Sequence, residues 1–262
     1  MQNLQSLLKY KLLIITTLFT LLLTANTAKA TIVRFETSLG NIDVNLYDET
    51  TPQSVENFLN YVTAGSYGNT LFHRSVSGFI LQGGGFLYNN TWPPIGIQSN
   101  VAVNNEPIYS NVRGTLAYAK LSGLPNSATN QWFFNLANNA ANLDNQNSGF
   151  TVFGEVMGNG MDVVDAIAAL NTYNLGSSFS EIPLQNYTSG DPNDTNIILI
   201  TNISVIDSSI NTAAGLNPTA TTRATESSST SSGGGSLGIL ILLLTLTSRL
   251  VVGRNEIAKS FI

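Results

Sequence analysis

The run Phe72-His73-Arg74-Ser75-Val76-Ser77-Gly78-Phe79-Ile80-Leu81-Gln82-Gly83-Gly84 gathers the side chains of this chain best suited to chemistry. It holds the single histidine, His73, beside Arg74, in a chain without cysteine. An arginine fork is permanently charged and donates hydrogen bonds without acting as acid or base. A lone histidine beside an arginine is more often a structural hydrogen bonder than a general base. Without cysteine there is no thiol nucleophile, disulfide or thiolate metal site. One histidine cannot make a multi-histidine cluster, and a carboxylate-only site would suit calcium or magnesium, so zinc chemistry is excluded and no metal or cofactor is expected. A Ser-His-Asp hydrolase would need a nucleophile elbow, which the sequence lacks. Gly83-Gly84-Gly85 follows a strand-like run, but no helix opens after it and the phosphate-cradling spacing is absent. Taken singly, these residues also have plain structural readings: Arg74 as an ion pair, Phe79 and Phe133 as core, Gln82 as an interstrand hydrogen bonder.

Charge narrows the partners. Between Thr31 and Ile210 the basic residues are Arg34, Arg74, Arg113 and Lys120, against fourteen acids, a balance of about −10 that repels phosphate backbones. Nucleic acid is therefore not an expected partner, and each arginine in so cation-poor a body carries weight.

The ends are read as targeting segments. Lys9 and Lys11 precede an apolar run from Leu12 to Leu23, and Ala28-Lys29-Ala30 offers small residues at the spacing a signal peptidase reads. The run falls short of the roughly 20 residues that span a bilayer, so 1–30 is expected to be a cleaved secretory signal. Residues 211–236 read as a Ser/Thr/Gly-rich linker, flexible from Ser227 to Ser236. Residues 237–262 combine the apolar run Leu237 to Leu246 with Arg249 and Arg254. With Gly233-Gly234-Gly235 before it, this end resembles the glycine-rich C-terminal sorting tags of Gram-negative bacteria; the other reading is a tail anchor. The product is expected in the periplasm, or at the surface or in the medium after processing, with transient membrane contact through this segment.

The body, 31–210, must supply the elements that position these residues. Ile42, Val44 and Leu46 alternate with Asp43, Asn45 and Tyr47, which predicts a half-buried hairpin over Thr31 to Tyr47. Thr51 as N-cap and Pro52 at the first helical position open a helix whose Val55, Phe58, Leu59 and Val62 share a face, ended by Gly65. Further strands are expected at 70–73, 78–82, 114–120, 131–136, 150–156 and 196–206, a second helix at 161–170, and loop at 171–195. Eight strands and two amphipathic helices predict a mainly β fold, a closed eight-stranded antiparallel barrel capped by the helices. With 43% hydrophobic residues it needs no disulfide staples.

The Phe72 to Gly84 run resembles the cyclophilin family of peptidyl-prolyl cis-trans isomerases. So do Glu56-Asn57-Phe58, Arg113-Gly114-Thr115-Leu116-Ala117, Ser127-Ala128-Thr129-Asn130-Gln131-Trp132-Phe133-Phe134, Leu143-Asp144 and Val152-Phe153-Gly154-Glu155-Val156. These blocks fall in the family's order from Ile32 through Leu170, and the layout looks most like its exported bacterial branch. The resemblance implies rotation about X-Pro bonds in exported proteins, assisting their folding, with proline-containing polypeptides as clients and a monomer as the working unit. It implies that Arg74 is the catalytic donor. Phe79, Ile80, Phe133, Leu143 and Phe150 would form the proline pocket, Gln82 and Gln131 polar contacts, and the backbone of Ala119 and Lys120 the pairing edge for extended substrate. A non-catalytic peptide-binding chaperone or surface module on the same barrel is the alternative. The sequence departs from the family at Asn142, where tryptophan is common, at Phe150 for a frequent histidine, and at Lys120 for a frequent asparagine. Phe86 to Tyr109 does not align.

Overall fold

Alternation builds the first hairpin as expected. In this computed structural model, which describes residues 31–209, 212 and 216–223, Ile32–Thr37 (β1) pairs antiparallel with Gly40–Leu46 (β2). Ile42, Val44 and Leu46 are completely buried on its inner face. The expected signal segment, the glycine-rich stretch and the sorting segment lie outside the described residues. Pro52–Thr63 (α1) follows, burying Val55, Phe58, Tyr61 and Val62 against the sheet. Thr51 stands at its N-cap but makes no side-chain cap; Glu106, from a distant loop, accepts the N–H groups of Gln53 and Ser54 instead, at 3.3 and 2.9 Å.

The remaining strands are Thr70–Leu71 (β3), Arg74–Val76 (β4), Ile80–Gly83 (β5), Phe86–Leu87 (β6), Ile95–Gly96 (β7), Thr115–Tyr118 (β8), Trp132–Asn135 (β9), Val152–Val156 (β10), Thr172–Tyr173 (β11), Ile182–Pro183 (β12) and Leu199–Asp207 (β13). Two more helices, Ala140–Leu143 (α2) and Gly160–Ala168 (α3), punctuate them. The second expected helix is thus α3, with Val164 and Ile167 buried and Met161 packed beside them.

The main sheet runs β4-β5-β9-β8-β10-β2-β1-β13-β3-β6-β7, and its pairings are antiparallel. This corrects the expectation of a closed eight-stranded barrel: the sheet is curled, but its ladder order is open. The reason lies between β3 and β4. Phe72 N–H still donates to Ile198 on the β13 side, whereas His73 N–H donates to Gln82 on β5. One extended run therefore changes partner midway, and short strands, with β4 at one end of the ladder, replace the single strand expected there.

Three apolar clusters follow from the curl. The largest fills the concave side, where Phe35 meets Phe58, Trp132 and Phe134 at ring separations of 5.9, 5.1 and 5.5 Å. Gly83-Gly84-Gly85 belongs to this packing and not to any phosphate: a Cβ on Gly84, whose φ is +82°, would lie 2.5 Å from both Asn130 O and Trp132 Nε1. A second cluster lies on the opposite face. The third joins two stretches that sequence reasoning left without structure. The 171–195 excursion, expected as loop, contains the β11–β12 ribbon and a helical turn at Ser177–Phe179, and the unaligned 86–109 stretch contributes β6 and β7. Phe179 packs on Phe86 and Trp92 at 4.9 and 5.0 Å, which is why neither stretch shows a readable period: each buries its aromatics against the other.

Candidate active site

The period of two sorts β5, β9 and β8 into two faces. Leu81, Trp132, Phe134, Leu116 and Tyr118 point to the main core, while Ile80, Phe133 and Ala117 point away from it into the second cluster. Register then makes a row across neighbouring strands: Arg74 opposes Gln82, Gln82 opposes Phe133, and Phe133 opposes Ala117. Directly opposed residues share a face, so a cation, an amide and an aromatic ring stand side by side. Phe133 is thus not part of the main core.

Buried Ile80, Phe133 and Leu143 form the floor of this second cluster, and half-buried Phe79, Ala119 and Phe150 pack against it. Phe133 and Phe150 meet edge to face with centroids 6.0 Å apart. Gln82 Nε2 donates to Gln131 Oε1 at 2.9 Å, so both amides brace each other beside Arg74. Ala119 N–H donates to Gln131 O at 2.9 Å, and among the described residues neither the Ala119 carbonyl nor the Lys120 N–H has a hydrogen-bond partner, leaving an edge for an extended peptide. Every residue expected at the site is therefore brought to one region.

Lys120 does something further. Its ammonium donates to Asn147 O and Gly149 O and lies 4.7 Å from the Phe150 ring centroid, so its side chain latches the 146–150 turn to the pocket wall. Burial, helped by the charge of Arg223, lowers its pKa to about 8. His73 is buried edge-on to Phe86 at 4.9 Å. Burial, then the neighbouring Arg74 charge, push its imidazole down to about 4, against a smaller opposing hydrogen bond that the ring donates to Gln131, so it stays neutral near pH 7.

Sequence reasoning missed the polar supports. Asn139 Nδ2 donates to Phe79 O at 2.8 Å and to Asn135 Oδ1 at 2.7 Å, and Asn135 Nδ2 reaches Thr115 Oγ1 at 2.9 Å. Asp144, almost wholly buried, accepts from Ser110 Oγ, Asn111 N and Asn111 Nδ2 at 2.6, 2.9 and 3.1 Å, while Asn111 Nδ2 also holds Phe150 O at 3.0 Å. These bonds fix Phe79, Leu143 and Phe150. In sequence the asparagines read only as a polar loop. A cavity of about 890 Å³ between α1 and 98–103 contains none of the site residues and is lined largely by polar side chains.

A donor cation beside an apolar floor, with no paired acid, base or nucleophile in the row, suits a reaction in which no covalent bond breaks: rotation about a peptide bond held in extended chain. The cyclophilin type peptidyl-prolyl cis-trans isomerase family model matches residues 32–188. A peptidyl-prolyl cis-trans isomerase of Acinetobacter baylyi is 44% identical over 161 residues, covering 60% of this chain and 81% of that one. Isomerase B of Escherichia coli is 40% identical over 148 residues, covering 53% and 85%. A solved cyclophilin of Cryptosporidium parvum superposes with a TM-score of 0.49 at 23% identity, over 69% of this chain and 99% of that one. The chain belongs to the cyclophilin-type peptidyl-prolyl cis-trans isomerases. It is an enzyme of that activity, on a mainly β cyclophilin-like fold.

Proposed function

We propose that this isomerase serves proline-containing polypeptides exported with it, that Arg74 donates to the prolyl nitrogen, and that Phe79, Ile80, Phe133, Leu143 and Phe150 hold the ring. The row Arg74, Gln82, Phe133 on adjacent strands carries the site assignment. An X-Pro amide rotates over a barrier of about 18–20 kcal/mol because resonance stiffens its C–N bond. As the bond twists, the nitrogen pyramidalises and its lone pair localises. A guanidinium N–H aimed there binds the twisted state better than either planar one, so its hydrogen bond lowers the barrier. The apolar floor fixes the ring, Gln82 and Gln131 bear on the flanking peptide, and the edge at Ala119 and Lys120 keeps the preceding chain extended. The substituent on the other side of the bond is then free to turn.

The basic, apolar and small-residue order of 1–30 supports export of the body, to the periplasm or, after processing of the C-terminal segment with its brief membrane contact, to the surface or the medium, where it would work as a monomer. Because uncatalysed exchange takes tens to hundreds of seconds, such a catalyst speeds the slowest folding steps of other exported chains.

Arg74 is tested by exchange NMR on an X-Pro peptide. Arg74→Ala is expected to lower turnover at least about tenfold, on the order of 1.4 kcal/mol, in a folded protein, and Arg74→Lys to restore only part, because an ammonium lacks the planar fork. Full activity in folded Arg74→Ala refutes the assignment. Peptide binding without any acceleration by the wild type would point to a binding module instead.

A further inference from the structure

β4 ends its side of the main sheet, so the flank of Arg74 away from β5 is open to another segment. The run entering β12 takes that place. Ser75 N–H donates to Glu181 O at 2.8 Å, and the Glu181 carboxylate accepts from Arg74 Nε at 2.8 Å. Among the described residues, neither terminal nitrogen of Arg74 has a hydrogen-bond partner. Glu181 is itself held from behind. Ile182 and Leu184, just after it, are buried with Leu71 and Ile197, and Phe179, just before it, is wedged between Phe86 and Trp92.

We propose that Glu181 is a positioning residue for the isomerase: it grips Arg74 by Nε so that the two terminal nitrogens are presented to the prolyl nitrogen of a bound peptide. The inference rests on Arg74 being the donor. Both partners are more than a third exposed, so the pair adds little to stability, and its effect must lie in orientation. An unheld arginine loses rotamer freedom whenever it makes a directed hydrogen bond. Fixing the guanidinium plane through Nε removes much of that loss before substrate arrives, which speeds a step that depends on angle as well as distance.

The carboxylate also works against the reaction, because its charge weakens the positive field of Arg74. That opposition is the smaller effect here. The carboxylate is bound at Nε and partly solvated, which screens its reach, whereas the terminal N–H groups would meet the prolyl nitrogen directly. One edge of the fork is thereby held while its ends stay available. The mutual packing of the 86–97 and 171–195 stretches then has a role at the site: it supplies a backbone firm enough to hold a side chain against the end strand.

Kinetics on the full chain decide the matter, with kcat and KM measured separately for wild type, E181A, E181Q, R74A and R74A/E181A. E181A is expected to lower kcat about fivefold with KM within about twofold, and E181Q to keep at least about half of wild-type kcat, since its carbonyl oxygen accepts from Nε in the same way. On the R74A background, E181A is expected to cost nothing more, because a residue acting through Arg74 has nothing left to position. The Arg74 Nε–H resonance should move in E181A and stay near its place in E181Q. An active wild type with unchanged or faster E181A overturns the inference alone, as does an equal loss on the R74A background, which would mark a general structural role. A wild type without activity, or a fully active R74A, overturns the isomerase site itself and this inference with it.

Discussion

At the scale of single residues, His73 and Asn142 each lead to a measurable outcome. An unfolded histidine titrates near 6.5, whereas buried His73 refuses its proton until about pH 4. Between these values the unfolded chain binds the extra proton, so stability is fully present above about 6.5 and falls as the pH drops toward 4. His73→Gln is expected to remove about 2 kcal/mol of the stability difference between pH 7 and pH 5, read from urea midpoints of the two proteins at each pH. An identical acid sensitivity in both would mean that His73 is charged or solvated in the folded state. Asn142 lies exposed on α2 beside buried Leu143. In the family, the tryptophan common there gives cyclosporin an indole N–H and a large flat surface, which a short amide does not match. Weak inhibition of the wild type by cyclosporin is therefore expected, with Asn142→Trp strengthening it while changing turnover less. Tight inhibition of the wild type in an inhibitor titration would show that another wall replaces the missing ring.

At the scale of elements, the site is made by edges and turns more than by regular structure. α2 has only four residues, too few to hold itself, and depends on Asp144 to tie it to Ser110 and Asn111. A turn with positive φ at Asn147, Ser148 and Gly149 is gripped from two directions, by Lys120 and by Arg223, whose Nη1 donates to Ser148 O at 2.7 Å. Arg223 comes from a stretch that composition assigns to the linker. Residues 216–223 run antiparallel to Ile108–Ser110, with Ser110 N–H donating to Thr219 O at 2.8 Å and Thr221 N–H to Ile108 O at 3.0 Å, and Leu216 packs on the pocket cluster. A chain ending at 210 is accordingly expected to melt about 4–8 °C below one ending at 223, for a loss of about 2 kcal/mol, and to bind peptide less tightly. Equal melting temperatures by calorimetry would show that this strap contributes no stability.

At the scale of the whole molecule, the parts fall into a scaffold and an attached support. The scaffold is the curled sheet with α1 and α3; the support is the mutual packing of two irregular stretches beside the Arg74 end strand. In this acid-rich body Arg74, Lys120 and the arriving Arg223 are each held by an oxygen acceptor. Export is the remaining whole-chain expectation. Intact-mass measurement of protein recovered from expressing cells is expected to give an N-terminus at Thr31, and a mass that keeps residues 1–30 would rule out cleavage there.

The sequence by itself determined the elements whose information is local, together with the isomerase family to which the chain belongs. The period-two runs of β1, β2, β5 and β9 and the α1 face of Val55, Phe58 and Val62 were legible because each depends on neighbours a few positions away, whereas the candidate site residues were named from short blocks that resemble the family. Only the tertiary structure decided what depends on distant segments. The ladder order stays open because one extended run changes partner at Phe72 and His73, a choice made by Ile198 and Gln82 and not by residues 70–76. The irregular 86–97 and 171–195 stretches become ordered because each is the other's apolar partner, so neither shows a face when read alone. Arg74 meets Glu181 across 107 positions, and Asn45 meets Thr212 across 167, separations at which no local pattern specifies contact. Burying a polar or charged group is tolerated only where the completed fold delivers its partner, and that delivery is a property of the assembled chain.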